Sequence, residues 1–251
     1  MGDMSKMGGT GGTGGDQRAW GDILSTFNIA LGGIALMYVL DREPKALITA
    51  SMLVFIIMAL DGLDGYLAKR TRSTPMGPFL DSVSDGLAFI LVPSLLVYSY
   101  YYTPGVSSLE EPRNALVVGV LAFYIAIGFR RLSHFALGRR NTPYFTGAPV
   151  SLPALFLVAI SALDAPLWLM TSGLLAITLL VLSPLRFPKL RGALMAAGAL
   201  PVGLGIAAFY LIFLGEESMA KPFIWAILAM CGAYMISPVL WKEKGIKKRE
   251  Y

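Results

Sequence analysis

Residues Met58 to Asp85 read MALDGLDGYLAKRTRSTPMGPFLDSVSD, and this stretch decides how the chain folds. It joins the end of one apolar run to the start of the next through a short basic turn. Asp61 and Asp64 stand three residues apart before the turn, and Asp81 and Asp85 stand four apart after it. Both spacings put a pair of carboxylates on one face of a helix. The stretch therefore predicts a helical hairpin whose two acidic faces meet at the same level.

The composition around this hairpin is that of a membrane protein. Of the 251 residues, 55% are hydrophobic and 15% are charged, whereas about a quarter of the residues of a soluble domain are charged. The mean hydropathy is +0.63. Apolar runs close to the roughly 20 residues that a helix needs to cross a bilayer recur along the chain. We therefore expect an all-α integral membrane protein.

Apolar runs between helix breakers predict a bundle of about eight transmembrane helices with both termini in the cytoplasm. Asp-Ala-Pro at 164–166 should separate two of them, because proline disfavours helix at the residue before it. With eight spans, 17 of the 21 Lys and Arg residues fall on the side of the termini, which the positive-inside rule assigns to the cytoplasm. Seven spans would largely cancel this bias. The predicted spans are 22–40, 46–69, 77–102, 114–137, 149–163, 166–183, 192–214 and 221–241.

The chain divides into three segments. Residues 1–19, rich in Gly and Thr, predict a flexible N-terminal tail, residues 20–241 a single membrane domain, and residues 242–251 a basic cytoplasmic tail. The net charge of +5 is spread over short loops around apolar helices, which suits anionic membrane lipids and argues against a nucleic-acid partner. We expect a multi-pass protein of the cell (plasma) membrane.

The four aspartates predict a metal site. Carboxylates gathered in an apolar setting repel one another unless they are protonated or bind cations. Hard oxygen ligands suit Mg²⁺, Mn²⁺ or Ca²⁺, and four of them would support two ions. Small and basic residues beside them would admit a diphosphate whose apolar part lies in the bilayer. These residues are Gly62, Gly65, Ala68, Gly77, Lys69, Arg70 and Arg72.

A cation-coupled transporter is the alternative from another functional class, because intramembrane carboxylates also serve ion pathways. That alternative predicts acidic residues near the bilayer midplane and two related halves. The carboxylates instead cluster at one predicted edge of the membrane, and the Asp-Gly-Leu-Asp-Gly segment at 61–65 is not repeated. The pattern therefore favours an enzyme.

The order Asp61-x-x-Asp64-Gly65-x-x-Ala68-Lys69, followed by Gly77-x-x-x-Asp81-x-x-x-Asp85, resembles the signature of the CDP-alcohol phosphotransferases, D-x-x-D-G-x-x-A-R-x8-G-x3-D-x3-D. There are two departures from the signature. Lys69 occupies the arginine position, and the spacer to Gly77 has seven residues where the signature has eight. Either Lys69 meets a phosphate as a point charge or Arg70 takes the arginine's role.

The resemblance implies a metal-dependent transfer from a CDP-lipid to an alcohol at the cytoplasmic face. It implies that Asp61, Asp64, Asp81 and Asp85 hold one or two Mg²⁺ or Mn²⁺ ions and that Asp85 takes the proton of the acceptor hydroxyl. Members of the family are often homodimers, although no stretch of this sequence identifies an interface. Asn28, a polar residue in the first span, either joins the CDP site or bonds to another helix. The CDP-binding set would be Asn28, Asp61, Asp64, Gly65, Ala68, Lys69, Gly77 and Asp81.

The stretch FRRLSHFALGRRNTPYFTGAPVSLPALFL, Phe129 to Leu157, resembles the phosphatidylserine synthase branch, in which R-L-x-x-F precedes F-x-G-x-P. This resemblance implies L-serine as acceptor and CDP-diacylglycerol or CDP-archaeol as donor. Arg130 or Arg131 would bind the serine carboxylate or a phosphate, and we prefer Arg131 because it heads the motif. Their alternative role is to anchor the helix at the lipid headgroups. A related enzyme acting on inositol phosphate or glycerol phosphate stays open, since Arg139 and Arg140 add positive charge.

Overall fold

A computed structural model of the protein describes residues 16–67, 76–105, 111–137, 144–188 and 195–240. Helices make up most of these ranges, and one short antiparallel ribbon pairs β1 (Tyr144–Thr146) with β2 (Arg186–Pro188). The predicted all-α membrane protein is confirmed apart from this ribbon. The helices are α1 (Asp16–Asp41), α2 (Pro44–Leu67), α3 (Gly77–Asp85), α4 (Val92–Tyr101), α5 (Pro112–Leu137), α6 (Ser151–Ser161), α7 (Leu167–Leu182), α8 (Met195–Phe213) and α9 (Glu217–Leu240).

The helix termini differ in places from the sequence-based boundaries. α1 begins at Asp16, so the last four residues of the segment assigned to the N-terminal tail, 16–19, are helical. α3 and α4 form one continuous rod, because a π-helical turn, Gly86–Leu91, joins them without a break. The predicted third span is thus a single helix with one irregular turn in it.

The lengths of the helices separate them into two groups. In the described part of the chain, five helices are long and apolar enough to cross a membrane, and three apolar helices are shorter. Each of the eight predicted apolar segments overlaps one of these helices. The 11 residues of α6 rise only about 16 Å, roughly half of a hydrocarbon core of about 30 Å. The five long segments are Gly21–Asp41, Pro44–Leu63, Gly77–Tyr101, Pro112–Ala136 and Glu217–Pro238, and the shorter ones are Ser151–Ser161, Leu167–Leu182 and Gly198–Phe213.

The predicted break at Asp-Ala-Pro 164–166 is confirmed. α6 ends at Ser161 and α7 begins at Leu167, and Asp164 adopts a φ of +48°, which a helix does not contain. The hydroxyl of Tyr101, at the end of α4, donates a hydrogen bond of 2.8 Å to the carbonyl of Ala165. The turn therefore lies at the end of the bundle where α4 stops, opposite the end where α3 begins.

Glycines allow two pairs of helices to pack in close contact. A Cβ on Gly205 of α8 would overlap the ring of Phe55 on α2, whose ring centroid lies 5.7 Å from that of Phe209. A Cβ on Gly173 of α7 would likewise overlap the ring of Phe156 on α6. α8 thus packs on α2, and α7 on α6, with a phenylalanine ring filling the space that each glycine leaves.

The π-helical turn after Asp85 depends on a contact with α5. In an α-helix the carbonyl of Phe89 would accept a hydrogen bond from residue 93, but Pro93 has no N–H to donate. The hydroxyl of Tyr124 on α5 donates to the Phe89 carbonyl instead, and Tyr124 is only 1% exposed. This hydrogen bond satisfies the carbonyl that proline leaves without a partner, and it joins α5 to the helix that carries Asp85.

We expect Tyr124→Phe to destabilise the protein, because the ring stays in place while a buried carbonyl loses its donor. The expected loss is about 1–3 kcal/mol in the free energy of unfolding. A fall in Tm by thermal unfolding in detergent would measure it, at about 2–4 °C per kcal/mol. Tyr210→Phe, which removes a hydroxyl from an exposed tyrosine on α8, is the matched control and should keep the wild-type Tm. Equal Tm values for the two variants would contradict this account of the turn.

Candidate active site

The hairpin brings carboxylates from two helices together. Asp61 lies near the end of α2, and Asp81 and Asp85 lie on successive turns of α3. One carboxylate oxygen from each of the three lies within 4.8 Å of the others, and all three residues are partly buried. Oxygen atoms at this spacing suit a hard divalent cation. The side chain of Asp64 lies outside the described part of the structure, although its backbone continues α2.

The other residues expected to bind CDP are only partly described. Gly65 lies in the last helical turns of α2, and Gly77 is the first residue of α3. Ala68 and Lys69, together with Arg70, lie outside the described residues. A Cβ added to Gly62, beside Asp61, would meet no heavy atom within 4 Å. Space is therefore available on α2 next to the carboxylates.

α1 brings Asn28 to about the same level. Gly32 packs against the π-helical turn that follows α3, since its Cβ would lie 3.1 Å from the Cβ of Leu87. The chain reverses direction between α1 and α2 and again between α2 and α3, so α1 and α3 run parallel. Asn28, one turn before Gly32, therefore lies about level with the turn that contains Asp85. Among the described residues, Asn28 is 2% exposed and its Oδ1 has no hydrogen-bond partner.

An unpaired amide oxygen in an apolar interior is unfavourable unless a ligand satisfies it. The Oδ1 atom of Asn28 is a neutral oxygen ligand at about the level of the three carboxylates along the bundle. These oxygen atoms are ligands of the kind that bind a divalent cation, and the Asn28 oxygen could instead accept a hydrogen bond from a bound nucleotide.

α5 approaches the carboxylates directly after Asp85. A Cβ on Gly86 would lie 2.8 Å from the ring of Phe129, and a Cβ on Gly128 would lie 2.8 Å from the side chain of Ile90. The sequence analysis did not identify this contact. Its signal was a pair of glycines inside apolar helices, which indicates a close approach of backbones.

The two arginines that follow Phe129 differ in their surroundings. Arg130 is exposed, whereas Arg131 is partly buried. Arg131 Nη2 donates a long hydrogen bond of 3.4 Å to the carbonyl of Gly147. Its Nε is buried and has no acceptor among the described residues. Arg131 is thus held on one side and keeps one donor free on the other.

The two halves of the serine-branch motif contact each other. Besides the Arg131–Gly147 hydrogen bond, the rings of Phe135 and Phe145 lie 6.3 Å apart. Gly147 adopts a φ of +77°, and a Cβ there would overlap the carbonyl oxygen of Val181, so only glycine fits. We name residues 144–150 the acceptor turn, since the sequence assigned this motif to the acceptor.

The acceptor turn contacts the end of α7 and the residues that follow it. The Gly147 N–H donates 2.7 Å to the Leu185 carbonyl, and the Ala148 N–H donates 3.1 Å to the Leu180 carbonyl. Both bonds fix the backbone around Gly147, whose carbonyl in turn accepts from Arg131. The position of Arg131 therefore depends on contacts with a segment some 50 residues further along the chain.

Comparison with known proteins identifies the family. Residues 19–182, more than half of the chain, match the family described as CDP-alcohol phosphatidyltransferase. The chain belongs to this family. It is therefore a transferase of phospholipid biosynthesis. Membership in this family decides against the alternative that the protein is a transporter.

Three relatives illustrate the range of acceptors. A CDP-diacylglycerol–serine O-phosphatidyltransferase of Methanocaldococcus jannaschii is 28% identical over 169 residues, which cover 67% of this chain and 73% of that protein. An archaetidylserine synthase of Methanothermobacter thermautotrophicus is 26% identical over 180 residues, 68% of this chain and 70% of that protein. A phosphatidylcholine synthase of Pseudomonas aeruginosa is 23% identical over 236 residues, 90% of this chain and 92% of that protein.

We expect divalent cations to stabilise the folded protein through the aspartates. Excess Mn²⁺ should raise the Tm in detergent by several degrees, because a ligand that binds only the folded state at 100 times its Kd adds about 2.7 kcal/mol. Asp81→Asn should lose most of this rise. Asp164→Asn, an exposed aspartate at the opposite end of the bundle, is the matched control and should keep it. An equal rise in both variants would show that the ion binds elsewhere.

Proposed function

We propose that the protein transfers the phosphatidyl or archaetidyl group of a CDP-linked lipid to L-serine and releases CMP. The observation that carries the proposal is the group of Asp61, Asp81 and Asp85, whose oxygens lie within 4.8 Å of one another. The group stands at the metal positions of the signature, in a chain that belongs to the CDP-alcohol phosphatidyltransferase family. Two of the relatives described above carry serine-transferase names, which supports serine as the acceptor.

The reaction is a displacement at the phosphorus attached to the lipid. The serine hydroxyl oxygen forms a bond to that phosphorus, and the bond from the phosphorus to the oxygen shared with CMP breaks. CMP leaves with that oxygen, and the proton of the hydroxyl passes to Asp85. Asp61, Asp64 and Asp81, with Asp85, would hold the one or two Mg²⁺ or Mn²⁺ ions whose charge neutralises the diphosphate and the leaving oxygen.

The donor nucleotide would lie between α1 and the α2–α3 hairpin. The open space beside Gly62 and the unpaired Oδ1 of Asn28 support this location. Gly65 and Gly77 would let CDP approach the helix backbones, and Asp61, Asp64, Ala68, Lys69 and Asp81 complete the proposed contacts. A hydrogen-bond donor on CDP, or a metal ion bound with CDP, would pair with the Oδ1 of Asn28.

Arg131 is the proposed anchor for the serine carboxylate. A guanidinium binds a carboxylate through two N–H groups, and Arg131 keeps a buried Nε–H without an acceptor in the described part of the chain. α5, which carries Arg131, also contacts Gly86 next to Asp85. With its carboxylate on Arg131, serine would direct its hydroxyl toward Asp85. Arg130, which is exposed, is the weaker candidate for the same role.

Choline is the second candidate acceptor, because the phosphatidylcholine synthase covers most of both chains. Choline has no carboxylate, and its quaternary ammonium would meet the like charge of Arg131. The environment of Arg131 therefore favours serine. Inositol phosphate and glycerol phosphate would need several converging basic groups, and Arg139 and Arg140 lie outside the described residues.

The proposed topology has eight crossings with both termini and the active site on the cytoplasmic side of the cell membrane. α6 is too short to cross alone, so the acceptor turn would complete its crossing. Ala148 in this turn is fully buried, in agreement with the rule that non-helical backbone at membrane depth is covered by protein or lines a cavity. The acceptor site would then be a recess below the headgroups. The homodimer stays a prediction.

CMP release tests the proposed reaction. Purified protein with Mn²⁺ or Mg²⁺, L-serine, and CDP-diacylglycerol or CDP-archaeol should release CMP, and omission of metal or serine should stop the release. Asp85→Asn should lower kcat by about 10²–10⁴, the usual contribution of a general base. The control variant Asp164→Asn should keep wild-type activity. Release only with choline, inositol phosphate or glycerol phosphate would retain the transferase and refute serine as its acceptor.

Replacement of Arg131 tests the carboxylate anchor. Loss of a hydrogen bond to a charged group, at about 1.5–3 kcal/mol, should raise the KM for serine about 10- to 100-fold in Arg131→Met. Arg131→Lys should recover part of this loss, because it keeps the charge without the planar pair of donors. The KM for the CDP-lipid should change little. A larger rise in Arg130→Met than in Arg131→Met would assign the role to Arg130.

A further inference from the structure

The β1–β2 ribbon connects the acceptor turn to the C-terminal helix α9. Its register pairs Tyr144 with Pro188, Phe145 with Phe187, and Thr146 with Arg186. β1 opens the acceptor turn, whereas β2 and α9 lie beyond residues 19–182, which carry the match to the family. The ribbon therefore couples the region that matches the family to a part of the chain outside that match.

α9 fixes β2 through one tyrosine. The hydroxyl of Tyr234 donates a hydrogen bond of 3.1 Å to the carbonyl of Pro188. The ring of Tyr234 lies 5.5 Å from the ring of Phe187, which is fully buried. Tyr234 thus holds β2 by a polar contact to its backbone and by an apolar contact to its central side chain.

β2 fixes the acceptor turn in the same way. Phe187 is the register partner of Phe145, and the Arg186 guanidinium lies 4.7 Å from the ring centre of Tyr144. The residue before β2, Leu185, accepts the 2.7 Å hydrogen bond from the Gly147 N–H. A shift of β2 would therefore move the backbone at Gly147, which packs so closely on the Val181 carbonyl that only glycine fits there.

We propose that Tyr234 is a positioning residue for the acceptor site. Its hydroxyl holds β2, β2 holds Gly147, and the Gly147 carbonyl holds the guanidinium of Arg131. The inference rests on the proposed function, since it takes Arg131 as the anchor of the serine carboxylate. Misplacement of a binding group by about 1 Å lowers catalysis strongly even when the change lies far from the chemistry. The hydroxyl and ring of Tyr234 contact Pro188 and Phe187 of β2, on the acceptor side of the site, so binding of the CDP-lipid should be unaffected.

Tyr234→Phe tests this inference, because it removes the hydroxyl and keeps the ring on Phe187. We expect the KM for serine to rise about three- to tenfold, while kcat at saturating serine and the KM for the CDP-lipid stay within about twofold of wild type. Tyr210→Phe is the matched control and should leave all three values unchanged. Hydrogen exchange of the full protein should be faster in Tyr234→Phe at residues 144–148 and 185–188.

A double-mutant cycle shows whether the effect passes through Arg131. In an Arg131→Lys background, Tyr234→Phe should add less than about twofold to the serine KM, because coupled residues are not additive. An equal rise in both backgrounds would overturn the inference, as would wild-type exchange at the ribbon or an unchanged serine KM in Tyr234→Phe. Those outcomes leave the proposed function intact. If the wild-type protein releases no CMP with serine, both the proposed function and this inference are refuted, and no variant is needed to show it.

Discussion

Repulsion among three carboxylates is the constraint on which the arrangement of this protein depends. The oxygens of Asp61, Asp81 and Asp85 lie within 4.8 Å of one another at the edge of an apolar bundle. Like charges at this distance repel strongly where water is scarce. The helix ends that carry them must therefore be held by packing elsewhere. Close contact of α1 and α5 with the α3–α4 rod, at Gly32, Gly86 and Gly128, supplies that packing on both sides of the site.

The π-helical turn lets one helix present Asp81 and Asp85 to the site and its later residues to the core. Asp81 and Asp85 must face α2, whereas Phe89, Val92 and Leu96 are buried in the core of the bundle. A π-helical turn inserts an extra residue and so rotates everything after it relative to the residues before it. Such a turn leaves backbone groups without their usual partners, and Pro93 adds to this deficit. The hydroxyl of Tyr124 on α5 donates a hydrogen bond to the Phe89 carbonyl. The helix that carries Arg131 therefore also stabilises the π-helical turn that follows Asp85.

Features that depend on local spacing could be predicted from the sequence, and features that depend on distant contacts could not. The separations of the aspartates predicted the hairpin, and Pro166 predicted the break between α6 and α7. Hydropathy measures how apolar a segment is but not the path of its backbone, so the segment 149–163 gave no sign that its helix has only 11 residues. The ribbon depends on pairs more than 40 residues apart, such as Tyr234 and Pro188. Asn114, the first residue of the predicted span 114–137, is a further example, because its side-chain amide is fully buried and bonds to both the N–H and the carbonyl of Thr103 at 2.9 Å.

The structure separates the groups proposed for chemistry from those proposed for acceptor choice. The carboxylates lie on the α2–α3 hairpin, whereas Arg131 and the acceptor turn lie on α5 and the segment that follows it. α5 contacts the helix beside Asp85, where a Cβ on Gly86 would lie 2.8 Å from the ring of Phe129. A relative could therefore exchange one alcohol for another by changes in α5 and the acceptor turn while its hairpin keeps the same chemistry. An acceptor without a carboxylate would need the charge of Arg131 removed or neutralised, because a buried guanidinium without a partner is unfavourable. On the proposed function, the residues around Arg131, more than the aspartates, therefore determine which alcohol the protein uses.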